Sequence, residues 1–128
     1  MNKENYVSFE VAKLLREKGF NEPCEACYHN DNSSTFRDSS DKERFKYCEK
    51  GFLNARNFYR DAAPTLWEAH KWLREKHGID IDVNIFSQSR EYISHISKYK
   101  VYVICNPIMK KTYEDALNAG ILKALEWI

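Results

Sequence analysis

Between Pro64 and Phe86 the spacing of apolar positions switches from a helical period to a strand period without a break. In PTLWEAHKWLREKHG, Leu66, Ala69, Leu73 and the aliphatic part of Lys76 share one face, with Trp72 on its edge. Thr65 and Glu68 have the spacing of a capping box, and Gly78 falls where a left-handed residue ends a helix. From Ile79 the period becomes two. Ile79, Ile81, Val83 and Ile85 alternate with Asp80, Asp82, Asn84 and Phe86, the pattern of a strand with one wet face.

The rest of the chain reads around this unit. Ser8 is placed to cap a helix over about 9–18, which Gly19 ends with Phe20 folding back on Leu15. Residues 21–23 form a turn, 24–29 (CEACYH) a short strand, and 30–44 a polar loop or excursion. Residues 45–59 carry both strand and helix signals; we read a strand to about Leu53, bent at Gly51. Residues 87–98 read as a connection. Residues 99–105 read as a strand antiparallel to 79–86, with Lys100, Tyr102 and Ile104 on its outer face. A last helix starts after Thr112, and Gly120 in its middle predicts a close backbone approach. The expected fold is α+β: one domain over 1–128, in which three helices pack mainly on one face of an antiparallel sheet.

Composition narrows the function classes. Hydrophobic residues make 43% of the chain and aromatic ones 14%, a globular balance. Twenty basic residues nearly cancel nineteen acidic ones, so no global field points to nucleic acid or to an anionic membrane. No apolar run reaches membrane-spanning length. A cytoplasmic setting with reduced cysteines is expected, without a membrane partner.

Candidate chemistry is sparse. Cys24, Cys27, His29 and Cys48 could supply four zinc ligands. A strand over 24–28, however, would turn Cys24 and Cys27 to opposite faces, so the expectation is no metal and no cofactor. His70 and His77 lie about 10 Å apart along a helix, too far to share an ion. Nucleophile elbows, phosphate loops and zinc-protease motifs are not found, and no enzymatic activity is expected. Residues 42–60 interleave six basic residues with aromatics. Lys46, Lys50, Arg56, Arg60, Tyr47 and Tyr59 would carry a nucleic-acid interface if both kinds shared a face. Phe86, Tyr102 and Ile104 would form an apolar group on the outer face of the sheet, and Trp67 points away from the buried face of its helix. These four are the expected interaction residues.

The order SFEVAKLLREKGFNE, PTLWEAHKWLREKHGIDIDV, YKVYVICNP and KTYEDALNAGILKALEWI resembles small uncharacterised proteins of gut Bacteroidetes and of their phages and prophages. It covers most of the chain outside roughly 30–60, carries no catalytic motif, and so implies an origin without an activity. The last helix is also similar to the T-x-E-E-A-L helix of small antitoxin-like domains, a likeness made mostly of capping residues. The function expected is a non-enzymatic protein–protein interaction module of phage or prophage type, binding an unknown protein or itself as a homodimer. Two alternatives stand beside it: a nucleic-acid-binding accessory protein using 42–60, and a zinc module at Cys24, Cys27, His29 and Cys48.

Overall fold

The computed structural model describes residues 3–29, 44–56, 59–98, 101–102 and 108–128. They fall into two compact units, Met1–Thr65 and Leu66–Ile128.

In the first unit a short 3-10 turn (Lys3–Asn5) precedes helix α1 (Phe9–Glu17). The Ser8 side chain accepts from the amide of Val11, as an N-cap must. At the other end the Gly19 amide donates to the Arg16 carbonyl and the Phe20 amide to the Leu15 carbonyl. With Gly19 at φ +93°, this is the complete Schellman pattern that the Gly-Phe pair predicts. Strands β1 (Cys24–His29), β2 (Phe45–Phe52) and β3 (Arg60–Ala62) form an antiparallel sheet in the order β2-β1-β3. Val11, Ala12 and Leu15 of α1 are buried, as are Ala26, Tyr28 and Ala62 of the sheet. The Tyr28 hydroxyl donates to the Val7 carbonyl at 2.6 Å, which satisfies the one polar atom that this buried ring brings inside.

In the second unit helix α2 (Leu66–His77) leads through Gly78, at φ +66°, into strand β4 (Ile79–Phe86). A turn at 87–90, with Arg90 at φ 58°, returns the chain as β5 (Glu91–Lys98). The short strands β6 (Val101–Tyr102) and β7 (Ile108–Lys110) both pair with β5 before helix α3 (Tyr113–Glu126). Thr112 caps α3 by accepting from the Asp115 amide. One face of the sheet carries Ile79, Ile81, Val83 and Ile85, opposite Lys98, Ile96, Ser94 and Tyr92. Helix α3 lies on this face, where a methyl built on Gly120 would meet Ile81 and Ser94. The close approach expected at Gly120 is present.

The α+β class holds, with three helices and antiparallel pairing among the described residues, but the described strands divide between two sheets instead of forming one. The strand expected to bend at Gly51 is present as β2, and Gly51 has φ +45°. Two readings are corrected. Residues 91–98, expected as a connection, are the strand that pairs with β4 along its whole length. Of the expected strand 99–105, Val101 and Tyr102 are described, and they pair with Lys98 and Ser97 of β5, not with β4. The other residues of that expectation, Ile104 and Cys105 among them, lie outside the described residues, as does the polar stretch 30–43.

Candidate functional site

Strand β4 stands at the end of the order β4-β5-β6. Its first half is closed on both sides. Ile79 and Ile81 are buried, and the Ile81 amide donates to His70 Nε2 on α2 at 3.2 Å. That bond shows which way the strand faces: the Ile81 amide points away from β5. By the two-residue alternation of an antiparallel ladder, the amides and carbonyls of Val83 and Ile85 point to the same outer edge. Among the described residues the cover runs out beyond Ile81. Val83 is half-buried, Ile85 is 59% exposed and Phe86 39%.

A neutral imidazole is required at His70, because Nε2 accepts a hydrogen bond; its proton therefore sits on Nδ1. Burial, and then the charge of Arg74, hold the His70 pKa below its ordinary 6.5, while Asp80 and Asp82 pull the other way. Asp80 Oδ1 lies 4.0 Å from the same Nε2. The nitrogen facing this carboxylate is the one without a proton, so the contact is not an ion pair while His70 is neutral. Asp80 is half-buried and Asp82 exposed on the face opposite Ile85, where the ladder pairs them with Ser97 and His95.

Of the expected interaction residues, Phe86 and Tyr102 stand beside opposite ends of β5. Phe86 pairs with Glu91 at one end of β5, and Tyr102 pairs with Ser97 toward the other. Six residues of strand separate those two positions, about 20 Å. Ile104 lies outside the described residues. Trp67 is 63% exposed on α2, with its ring 5.7 Å from the Arg74 guanidinium and edge-on to His70. Among those of the four that are described, Phe86 belongs to the open end of β4. Its neighbours there, Val83 and Ile85, were read as half of an ordinary alternation. The signal for them is the pair Ile85-Phe86, where two apolar residues in succession break that alternation at the strand end.

The basic and aromatic residues of 42–60 are sorted by β2. Tyr47 packs edge-on against Phe45 and Tyr6. Lys46 is paired with Cys27 and projects to the other face, by the alternation of the strand. Tyr59 is 70% exposed just before β3, and Arg60 pairs with His29. Lys50 lies in β2 and Arg56 in the 3-10 turn Asn54–Arg56. Tyr47 and Lys46 therefore do not present a shared stacking surface.

The cysteines are drawn together differently from a zinc site. Cys27 and Cys48 approach to 3.1 Å between sulfurs, while Cys24 is buried with its thiol donating to the Glu22 carbonyl. Among the described residues no three His, Cys, Asp or Glu side chains converge in a way that could hold a metal ion. No spacing rule pairs Cys27 with Cys48. The contact follows from the register: Cys27 pairs with Lys46, and Cys48 stands two residues further along β2 on the same face.

Among the described residues no helix is long and apolar enough to cross a membrane. The chain matches no protein family, no curated protein and no solved structure.

Proposed function

We propose that this chain is a non-enzymatic protein-binding module that takes an extended segment of a partner along the open end of β4. The observation that carries this reading is the contrast within one strand. His70 closes the edge at Ile81, and beyond it Val83–Phe86 leaves outward amides beside two exposed apolar side chains. Sheet edges of this kind are usually blunted by charge, proline or a covering element, and they recruit strands when they are not.

The chemistry of the partner follows from the two faces. A segment added beside β4 would set alternate residues against Val83 and Ile85, and the others against Asp82 and Asn84. Apolar residues fit the first row and lysine or arginine the second. A second copy of β4 would bring its own Asp82 to this edge, which makes a basic partner the better complement.

The test is fluorescence anisotropy with short labelled peptides added to the full chain. A peptide alternating Val and Lys should bind, and one alternating Val and Glu should not. Val83→Pro removes one outward amide without touching the ladder to β5, and should weaken binding roughly fivefold, the worth of one strand hydrogen bond. Equal binding of both peptides, or no binding by either, would overturn the proposal. So would sedimentation showing that β4 is already occupied in a homodimer broken by Val83→Pro.

A further inference from the structure

We propose that Cys27 and Cys48 are an oxidation site, at which a peroxide converts two thiols into a disulfide tying β1 to β2. The sulfurs stand 3.1 Å apart, and a disulfide bond is about 2.05 Å long, so about 1 Å of closing is needed. Cys27 pairs with Lys46, so Cys48, two residues further along β2, is its diagonal neighbour on the same face of the sheet. The two thiols also differ in access. Cys48 is half-exposed at the sheet surface, and Cys27 is fully buried behind it.

That difference orders the steps. The Cys48 thiolate attacks one oxygen of hydrogen peroxide and the O–O bond breaks. The departing hydroxide takes up the proton that Cys48 gave up and leaves as water, so Cys48 becomes a sulfenic acid. The Cys27 sulfur then attacks the Cys48 sulfur and the S–O bond breaks. The hydroxyl leaves with the Cys27 proton as a second water. Each sulfur has been oxidised by one electron, and the peroxide has been reduced to two waters.

The surroundings suit these roles. Burial, then the hydrogen bond and charge of Cys48, push the Cys27 thiol up to about 12, so it rests as a thiol and leaves the first attack to Cys48. The Arg60 guanidinium acts on Cys27 in the opposite sense and stabilises its sulfur as charge develops there in the second step. Cys24, whose thiol is engaged with the Glu22 carbonyl, has no part in the pair.

The experiment is to treat the reduced full chain with equimolar hydrogen peroxide, then read its intact mass and map a non-reducing digest. The expected product is lighter by two hydrogen atoms, with Cys27 linked to Cys48, and is reversed by dithiothreitol. Cys48→Ser, at a half-exposed position that a hydroxyl tolerates, should abolish the mass loss. Cys27→Ser should stop at a sulfenic acid on Cys48 that dimedone traps. If Cys27→Ser does not fold, mapping of the unsubstituted chain still decides. A link through Cys24 or Cys105, a product that only gains oxygen, or an unchanged mass would each overturn the assignment.

Discussion

Gly120 of α3 lies so close to Ile81 of β4 that a methyl group added to it would stand 2.8 Å from the Ile81 Cγ2. The same methyl would meet the Ser94 Cβ at 3.2 Å. Replacing a mid-helix glycine by alanine ordinarily gains about 1 kcal/mol of helix propensity. Here the clash is with a γ-methyl held by a β-branched residue in a strand, which cannot swing aside, and overpacking of this kind costs about 1–3 kcal/mol. Gly120→Ala should therefore destabilise the chain by about 1 kcal/mol in urea denaturation. Ile81→Leu, which moves the branch away from Cβ, should recover part of that loss in the double variant. A more stable Gly120→Ala would show that the helix stands further off than described.

Acid should weaken the His70 contact. The folded pKa of His70 lies below the unfolded 6.5 because burial, then Arg74, disfavours its charged form. The advantage of the neutral ring is therefore complete above pH 6.5, and it is lost as pH falls through the folded value. Asp80 and Asp82 face the ring from β4 and oppose the shift, and Trp67 packs against it from α2. His77 is also lowered, by burial and then by Lys98, so it adds a component of the same sign. Chemical denaturation of the His70→Gln variant should show a shallower loss of stability below pH 6.5 than the unsubstituted chain. His70→Leu should cost about 1 kcal/mol near neutrality, the worth of the Ile81 hydrogen bond. Identical pH profiles for His70→Gln and the unsubstituted chain would remove His70 from the account.

Asn54 is buried and bridges two elements of the first unit. Its Nδ2 donates to the Phe20 carbonyl and its Oδ1 accepts from the Ala62 amide, each at 2.8 Å. Asn54→Leu strands both backbone groups away from water and should cost about 2–4 kcal/mol. Asn54→Asp keeps the acceptor for Ala62 but sets a carboxylate against the Phe20 carbonyl. Its loss should shrink on acidification, as the protonated acid regains a donor. Thermal melts of the two variants across pH would show the difference. A pH-independent Asn54→Asp would contradict the bridging role.

Arg16 anchors α1 to β3 by donating from Nη1 to the Arg60 carbonyl at 2.6 Å and to Asp61 Oδ1 at 3.2 Å. Asp61 is 1% exposed, so its carboxylate depends on that cation far more than a surface pair would. Arg16→Met should destabilise by about 3 kcal/mol in urea, and Asp61→Asn by less, because the amide leaves no buried charge. If Arg16→Met proves neutral, the pair contributes no more than a surface ion pair.

The elements that carried their own punctuation were legible. Both glycine-ended helices, the Thr112 cap and the alternation of β4 are local signals, and each holds in the structure. Residues 91–98 were not legible, for a tertiary reason. Their inward row is Tyr92, Ser94, Ile96 and Lys98, and the serine stands where Gly120 brings the α3 backbone close. A small polar residue there makes the strand look like a connection, although the Ser94 position is as buried as the isoleucine beside it. The open end of β4 was half legible: Phe86 stood out, but the edge is defined by His70 reaching Ile81 from another element. The Cys27–Cys48 contact lay beyond any local spacing argument, since it depends on the register that sets Cys27 of β1 opposite Lys46 of β2.

The first unit is fastened at its two ends. Tyr6 bridges to Thr65, and the Val7 amide donates to the Pro64 carbonyl at 3.1 Å. On the ribosome, then, α1, β1 and β2 are made before the residues that close over Tyr6 and Val7. The clasp that closes over Tyr6 and Val7 is among the last parts of the unit to be synthesised, so its completion waits for Pro64 and Thr65 to clear the exit tunnel.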